Sequence, residues 1–219
     1  MPLAFENERS QVVQFSLKMS KDGLTRGTLG NISVLVADNF MAVTPSGVDY
    51  DEMTPEDVPI VDFDNNLIEG RLQPSSECPM HIAIYKRKAD ARAIVHTHSP
   101  YATAFSIVGQ PIPAIHYVVG RLGGAEIPLT AEYQLFGSDP LADQAVEALG
   151  DRYTGVLLRN HGAIAIGKNL STAYSGALNI ESMAELAYLA KGLGTARVLS
   201  ETDIDQAIAQ FSRFGKKRV

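Results

Sequence analysis

Twice in residues 32–69 the chain sets two short apolar runs on either side of an Asp-Asn pair. Residues 32–37 and 40–43 flank Asp38-Asn39, and residues 60–63 and 66–69 flank Asp64-Asn65. Asparagine and aspartate tolerate the left-handed backbone of a tight turn, so each segment predicts an antiparallel hairpin. Two more apolar runs, 155–158 and 163–166, lie on either side of Arg159-Asn160-His161-Gly162. Strands that arrive in hairpins, rather than alternating regularly with helices, favour a largely antiparallel sheet.

The rest of the pattern is helical. Residues 10–22 place Val12, Val13, Leu17 and Met19 on one stripe. Residues 80–88, 101–108, 139–149, 170–193 and 201–214 read as further helices, and 93–96 and 112–115 as strands. A serine before residues 80–88 is expected to cap that helix, with Pro79 in its first turn, where a missing N–H costs nothing. Helices occur throughout, so both faces of the sheet are expected to be covered. The long segment 170–193, rich in alanine, could pack on its own sheet or against a partner. No repeat or flexible linker divides the chain, and residues 1–219 are read as one domain.

The formal net charge of −6 argues against a general nucleic-acid or anionic-membrane binder. The basic tail, Gly215-Lys216-Lys217-Arg218, is too short to alter that and reads as solvated surface. The single cysteine, Cys78, excludes an internal disulfide framework and fits a reducing compartment. It is either a packed residue or a nucleophile. No apolar run approaches the ~20 residues of a membrane span. Residues 1–9 carry acids and no apolar core, so a cytoplasmic protein is expected.

The run Ala93-Ile94-Val95 ends in His96-Thr97-His98. Side chains at i and i+2 of a strand share a face, so the two imidazoles can converge on one atom. Alone, such a pair also reads as two inert polar residues at a strand end. His161 stands at another strand edge, and the glycine after it permits a sharp turn. Three neutral histidines would form a facial set with coordination positions left open, a catalytic rather than a structural arrangement. His81 and His116 read as packing or supporting residues.

Pro74-Ser75-Ser76-Glu77 opens a helix whose N-terminus favours anions, phosphate above all. Ser75 and Ser76 add hydroxyl donors, and Glu77 falls in the first turn. Gly30-Asn31 and Ser46-Gly47 are turns of the kind that form anion nests. Together these features suggest a phosphorylated substrate held beside a metal.

Gly30-Asn31-Ile32-Ser33, Thr44-Pro45-Ser46-Gly47, Pro74-Ser75-Ser76-Glu77, His96-Thr97-His98 and Asn160-His161-Gly162 occur in that order, with Ala114-Ile115-His116-Tyr117 and Phe136-Gly137 between them. In this the chain resembles the class II aldolase/adducin family over residues 8–215. The resemblance implies a single three-layer α/β/α domain around a mainly antiparallel sheet, in a homotetramer with active sites between subunits. It implies one Zn²⁺ per subunit held by His96, His98 and His161, with Glu77 completing the shell at rest. It further implies substrate phosphate bound by Asn31, Ser46, Gly47, Ser75 and Ser76, and Tyr117 lent to a neighbouring subunit's site. A second tyrosine of the aldolases, near the C-terminus, is replaced here by Phe214 before Gly215, which loses a hydroxyl.

The implied reaction is reversible cleavage of a ketose 1-phosphate of the L-fuculose 1-phosphate type to dihydroxyacetone phosphate and a small aldehyde. Glu77 would act as the base and Tyr117 would serve the departing aldehyde oxygen. A 5-deoxy-pentulose 1-phosphate aldolase differs only in the aldehyde released. A methylthioribulose 1-phosphate dehydratase would use the same histidines. A pentulose 5-phosphate 4-epimerase is disfavoured, because those relatives carry aspartate where Glu77 stands. A non-enzymatic adducin-like module would lack the histidines.

Overall fold

The computed structural model describes residues 3–214. The basic tail and Gly215 lie outside these residues, as does the side chain of Phe214. The helices are α1 (Glu6–Lys21), α2 (Cys78–Arg87), α3 (Pro100–Val108), α4 (Asp139–Leu149), α5 (Leu170–Leu193) and α6 (Glu201–Phe214). The strands are β1 (Asn31–Ala37), β2 (Phe40–Val43), β3 (Ile60–Asp62), β4 (Leu67–Glu69), β5 (Ala93–Thr97), β6 (Ile112–Pro113), β7 (Glu126–Ile127), β8 (Gly155–Leu158) and β9 (Gly162–Gly167). Seven of them form one sheet in the order β4-β3-β2-β1-β5-β9-β8, while β6 and β7 pair separately. Every neighbouring pair is antiparallel.

The hairpins close as the Asp-Asn pairs predict. Asn39 and Asn65 take the left-handed backbone, at φ 63° and 64°. The Asp62 carboxylate secures the second turn by accepting from the Asp64 and Asn66 N–H groups. Period-two alternation then divides the sheet between two cores. Ile32, Val34, Ala93 and Val95 pack with Val12 and Met19 of α1 and with residues of α3 and α5. Met41, Ile94, Val156 and Ile164 pack with residues of α2 and α4. The result is a three-layer α/β/α arrangement. Among the described residues no helix is long and apolar enough to cross a membrane.

Helix α5 settles on its own sheet. Ala173, Gly176, Ala177, Ile180 and Ala184 face inward, and the alanines and glycine among them let the helix approach β5 and β9 closely. Leu178, Leu186, Leu189 and Leu193 remain exposed on other faces.

Several boundaries differ from the sequence reading. Helix α1 starts at Glu6, one turn earlier, because its buried stripe includes an arginine that apolar periodicity passes over. Arg9 is fully buried and donates to Ala4 O at 2.8 Å, to Glu69 Oε1 at 2.8 Å and to Val58 O. The cap of α2 is Glu77, not the preceding serine, and its side chain makes no capping bond. Ser75 Oγ instead accepts the Glu77 N–H at 3.3 Å. The strand expected over 112–115 shortens to Ile112–Pro113, since its partner β7 is itself two residues long. Two 3-10 turns, Pro55–Asp57 and Tyr117–Leu122, carry too short a pattern to be read in advance.

The β8–β9 turn also works differently from the expectation. Its left-handed residue is Asn160, at φ 54°, rather than the glycine. Gly162 is needed for proximity, since a Cβ there would collide with the Thr97 carbonyl oxygen of β5. Gly162→Ala should therefore cost about 1–3 kcal/mol of stability, as overpacking of a filled site does. A lowered Tm of the metal-free protein is the expected reading. An unchanged Tm would mean that β5 and β9 have room to part.

Candidate metal centre

Sheet register brings the predicted ligands together. Asn31 of β1 pairs with His96 of β5, and His96 in turn pairs with Ile164 of β9. His98 follows β5 by one residue and returns to the same face as His96, as period two requires. His161 hangs from the short β8–β9 turn, beside them. The three rings form a triangle with centroids 4.8, 4.8 and 4.9 Å apart and planes 70–84° to one another. Glu77, at the head of α2, closes the group. Its carboxylate and the three imidazoles each offer a ligand atom, and these atoms all lie within 4.8 Å of one another.

The hydrogen bonds fix which atoms face inward. His96 Nδ1 lies 3.0 Å from the Ala163 carbonyl oxygen, which can only accept. The Nδ1 therefore carries the hydrogen, and a neutral His96 presents the Nε2 lone pair to the centre. That Nε2 is 3.0 Å from His98 Nε2 and 3.1 Å from Glu77 Oε2. His161 Nε2 is 3.3 Å from Glu77 Oε1. Both Glu77 Oε1 and His161 Nδ1 are buried without a hydrogen-bond partner. With its hydrogen on Nδ1, His96 sets a lone pair 3.1 Å from the Glu77 carboxylate, a contact that repels unless a proton or a metal lies between, and the donor set fits a divalent metal. In type it is the nitrogen-and-oxygen set that zinc and its neighbours accept.

The electrostatics agree. Burial pushes the Glu77 carboxyl up, but the charges of His96 and His161, with hydrogen bonds from His96 and Asn31, outweigh it and hold the group well below the usual carboxylate range. Burial pushes His96 down, and adjacent Glu77 more than compensates, leaving it raised. His98 and His161 are pushed down to about 3 and about 4, first by burial and then by the charge of His96. Histidines held neutral are ready ligands.

Glu77, His98 and His161 open into a cavity of about 400 Å³. Asn31, Ser46, Gly47, Ser75 and Ser76, all expected at the phosphate, line the same cavity. Tyr117 does not: it is half-exposed on the 3-10 turn, its ring against His116 and Phe211. His116 caps that turn through its Nδ1, which accepts the Val118 N–H. Cys78 is packed in the α2 core, and burial pushes its thiol up to about 12, unlike a nucleophile.

Some cavity residues escaped the sequence reading. Leu29 and Tyr133 stand at the mouth with Phe136, each of them half-exposed or more. The available signal was two aromatics in a non-repetitive stretch ending in Gly137, where a Cβ would come within 2.6 Å of the Ser76 carbonyl oxygen. Glu181 of α5 was missed as well. Its two oxygens accept the Tyr101 and Ala102 N–H groups at 2.9 Å each, capping α3 just beyond His98.

The family model for the class II aldolase and adducin N-terminal domain matches residues 10–188. The chain belongs to this family. It is 38% identical over 216 residues to a 5-deoxy-D-ribulose 1-phosphate aldolase of Bacillus thuringiensis, covering 98% of this chain and 100% of the relative. It is equally 38% identical to the L-fuculose phosphate aldolase of Escherichia coli K12, covering 94% of each chain. A solved L-fuculose 1-phosphate aldolase superposes with a TM-score of 0.90 at 33% identity, over 97% of this chain and 98% of that one. The chain is thus an enzyme of the class II aldolase type, and class II aldolases are metal-dependent.

His96→Ala should lower metal affinity by more than the roughly 10–100-fold typical of losing a residue that only supports a ligand. Metal analysis after dialysis, set beside wild type, checks this. Full metal content in the variant would remove His96 from the shell.

Proposed function

We propose that this chain is a zinc-dependent aldolase. It reversibly cleaves a ketose 1-phosphate of the L-fuculose 1-phosphate type to dihydroxyacetone phosphate and a small aldehyde. The observation that carries the reading is the meeting of three imidazoles and one carboxylate at the floor of a cavity whose walls are serine- and glycine-rich. His96, His98 and His161 hold the metal, with Glu77 in its shell at rest. When bound, the metal supplies Lewis acidity for the charge that develops on the substrate's C2 oxygen.

The chain's own groups do the rest. Ser46, Gly47, Ser75 and Ser76, with Asn31, hold the phosphate at the α2 end of the cavity. Glu77 takes the proton of the C4 hydroxyl, whose oxygen becomes the aldehyde carbonyl. Its Oε1, which accepts no hydrogen bond, is the available atom. The C3–C4 bond then breaks, its electron pair moves toward the C2 carbonyl, the aldehyde departs, and the proton held on Glu77 is returned to C3 to complete dihydroxyacetone phosphate. Leu29, Tyr133 and Phe136 offer an apolar wall suited to a methyl-ended aldehyde. Tyr117, being outside its own cavity, serves a neighbouring subunit's site in a homotetramer. Residues 1–219 act as one catalytic domain of a cytoplasmic enzyme.

A second reading is a 5-deoxy-pentulose 1-phosphate substrate, favoured by the relative of that name that matches the chain from end to end. The two differ only in the aldehyde. Purified protein incubated with either sugar phosphate should release dihydroxyacetone phosphate, cease with a chelator and recover with Zn²⁺. Preference between the two sugars decides between the readings, and absence of dihydroxyacetone phosphate from both overturns them together.

Glu77→Gln keeps the side chain's shape and removes its basicity. It should lower kcat by about 10²–10⁴-fold, the usual worth of a positioned general base. Unchanged kcat would take Glu77 out of the proton transfer.

A further inference from the structure

Behind Glu77 runs a buried line of hydrogen bonds of which the proposed reaction uses only the first member, Asn31. Asn31 Nδ2 donates to Glu77 Oε2 at 2.8 Å. Asn31 Oδ1 lies 2.6 Å from His81 Nε2, His81 Nδ1 lies 2.7 Å from Ser33 Oγ, and Ser33 Oγ lies 2.8 Å from the Tyr85 hydroxyl. Asn31, Ser33, His81 and Tyr85 are all buried, His81 and Ser33 completely.

The direction of every bond follows by elimination. An amide oxygen turned toward Glu77 would set two acceptors against each other, so the nitrogen faces the carboxylate and Oδ1 faces His81. That oxygen can only accept, so His81 Nε2 carries the hydrogen. A ring buried without a carboxylate partner is neutral, so its Nδ1 must accept, and Ser33 donates to it. With its single hydrogen spent, Ser33 Oγ accepts from Tyr85. Each donor thus points toward Glu77, and bonds aligned in one direction strengthen one another.

We propose that His81 is a positioning residue, holding the Asn31 amide so that it fixes the Glu77 carboxylate with Oε1 left free. This rests on the reading of Glu77 as the proton acceptor. It also divides the work of Asn31. Its oxygen and one of its two amide hydrogens are committed inward, leaving one hydrogen for a phosphate. Losing the hold from behind should therefore damage turnover more than substrate binding.

The test pairs two variants with one measurement on the native ring. His81→Met removes the donor at similar volume, and His81→Gln places an amide N–H near the former Nε2. His81→Met should lower kcat by about 10–100-fold, the range for residues that orient a ligand, with KM and inhibition by inorganic phosphate within about 3-fold of wild type. His81→Gln should recover most of the lost kcat. Wild-type kcat in His81→Met, a change confined to KM, or no recovery in His81→Gln would overturn the proposal. Nitrogen-15 NMR of the unmutated protein should show hydrogen on His81 Nε2 and none on Nδ1, and the opposite tautomer would overturn it even if no variant folds. Lack of aldolase activity in wild type would refute the proposed reaction instead, and the tautomer would still test the chain of donors.

Discussion

Four groups able to donate an electron pair meet at one point in this protein, and two of them, His96 Nε2 and the Glu77 carboxylate, repel each other unless something positive lies between. His96 Nε2, His98 Nε2, His161 Nε2 and the Glu77 carboxylate approach to about 3 Å, and the Nδ1 hydrogen of His96 is already committed to Ala163 O. The contact of His96 with Glu77 is favourable only with a cation at it, whether a shared proton or a metal. The unmet valence of Glu77 Oε1 marks the same point as unfinished by the protein alone. Much of the surrounding architecture can be understood as the means of holding these donors close.

The means are mostly backbone. Antiparallel pairing sets Asn31 beside His96 and His96 beside Ile164, so three strands contribute to one spot without a long loop. Two glycines permit the final approach. Gly30, at φ 73°, would otherwise press a Cβ to within 2.7 Å of the His96 carbonyl oxygen, and Gly162 keeps clear of Thr97. Glu181 then secures the turn after His98 by capping α3 from the long helix behind the sheet. A ligand geometry built on strands and buried caps loses little entropy when the metal arrives.

Glu77 occupies the meeting of two opposed demands. Burial alone would neutralise it, while the imidazoles and the Asn31 amide hold it ionised. An ionised carboxylate can join a metal shell, and a displaced one can accept a proton. One of its oxygens is held by the Asn31 amide, and the other accepts no hydrogen bond. Its place as an N-cap that does not cap leaves the carboxylate unspent on the helix. Leu29, Tyr133 and Phe136, each half-exposed or more, line the same cavity.

The hairpins, the inward-facing histidine pair and the ordered polar turns were legible in the amino-acid order, because each depends on local backbone preference or on period two. Asn39 and Asn65 turn as their side chains allow, and His96 and His98 share a face because alternate residues must. The meeting of His161 and Glu77 with that pair was suggested by motif order, but only strand register and the tight contact at Gly162 decided it. Arg9 in a buried stripe, Glu181 as a remote cap and the line from Tyr85 to Glu77 were invisible in the chain. Their partners lie 46–80 residues away, and a polar side chain carries no periodic sign of what it will bond to. Local sequence determined the strands, their turns and the face on which the first two imidazoles point. The tertiary structure alone decided which distant donors satisfy the buried polar atoms, since hydrogen bonds are settled by proximity in space.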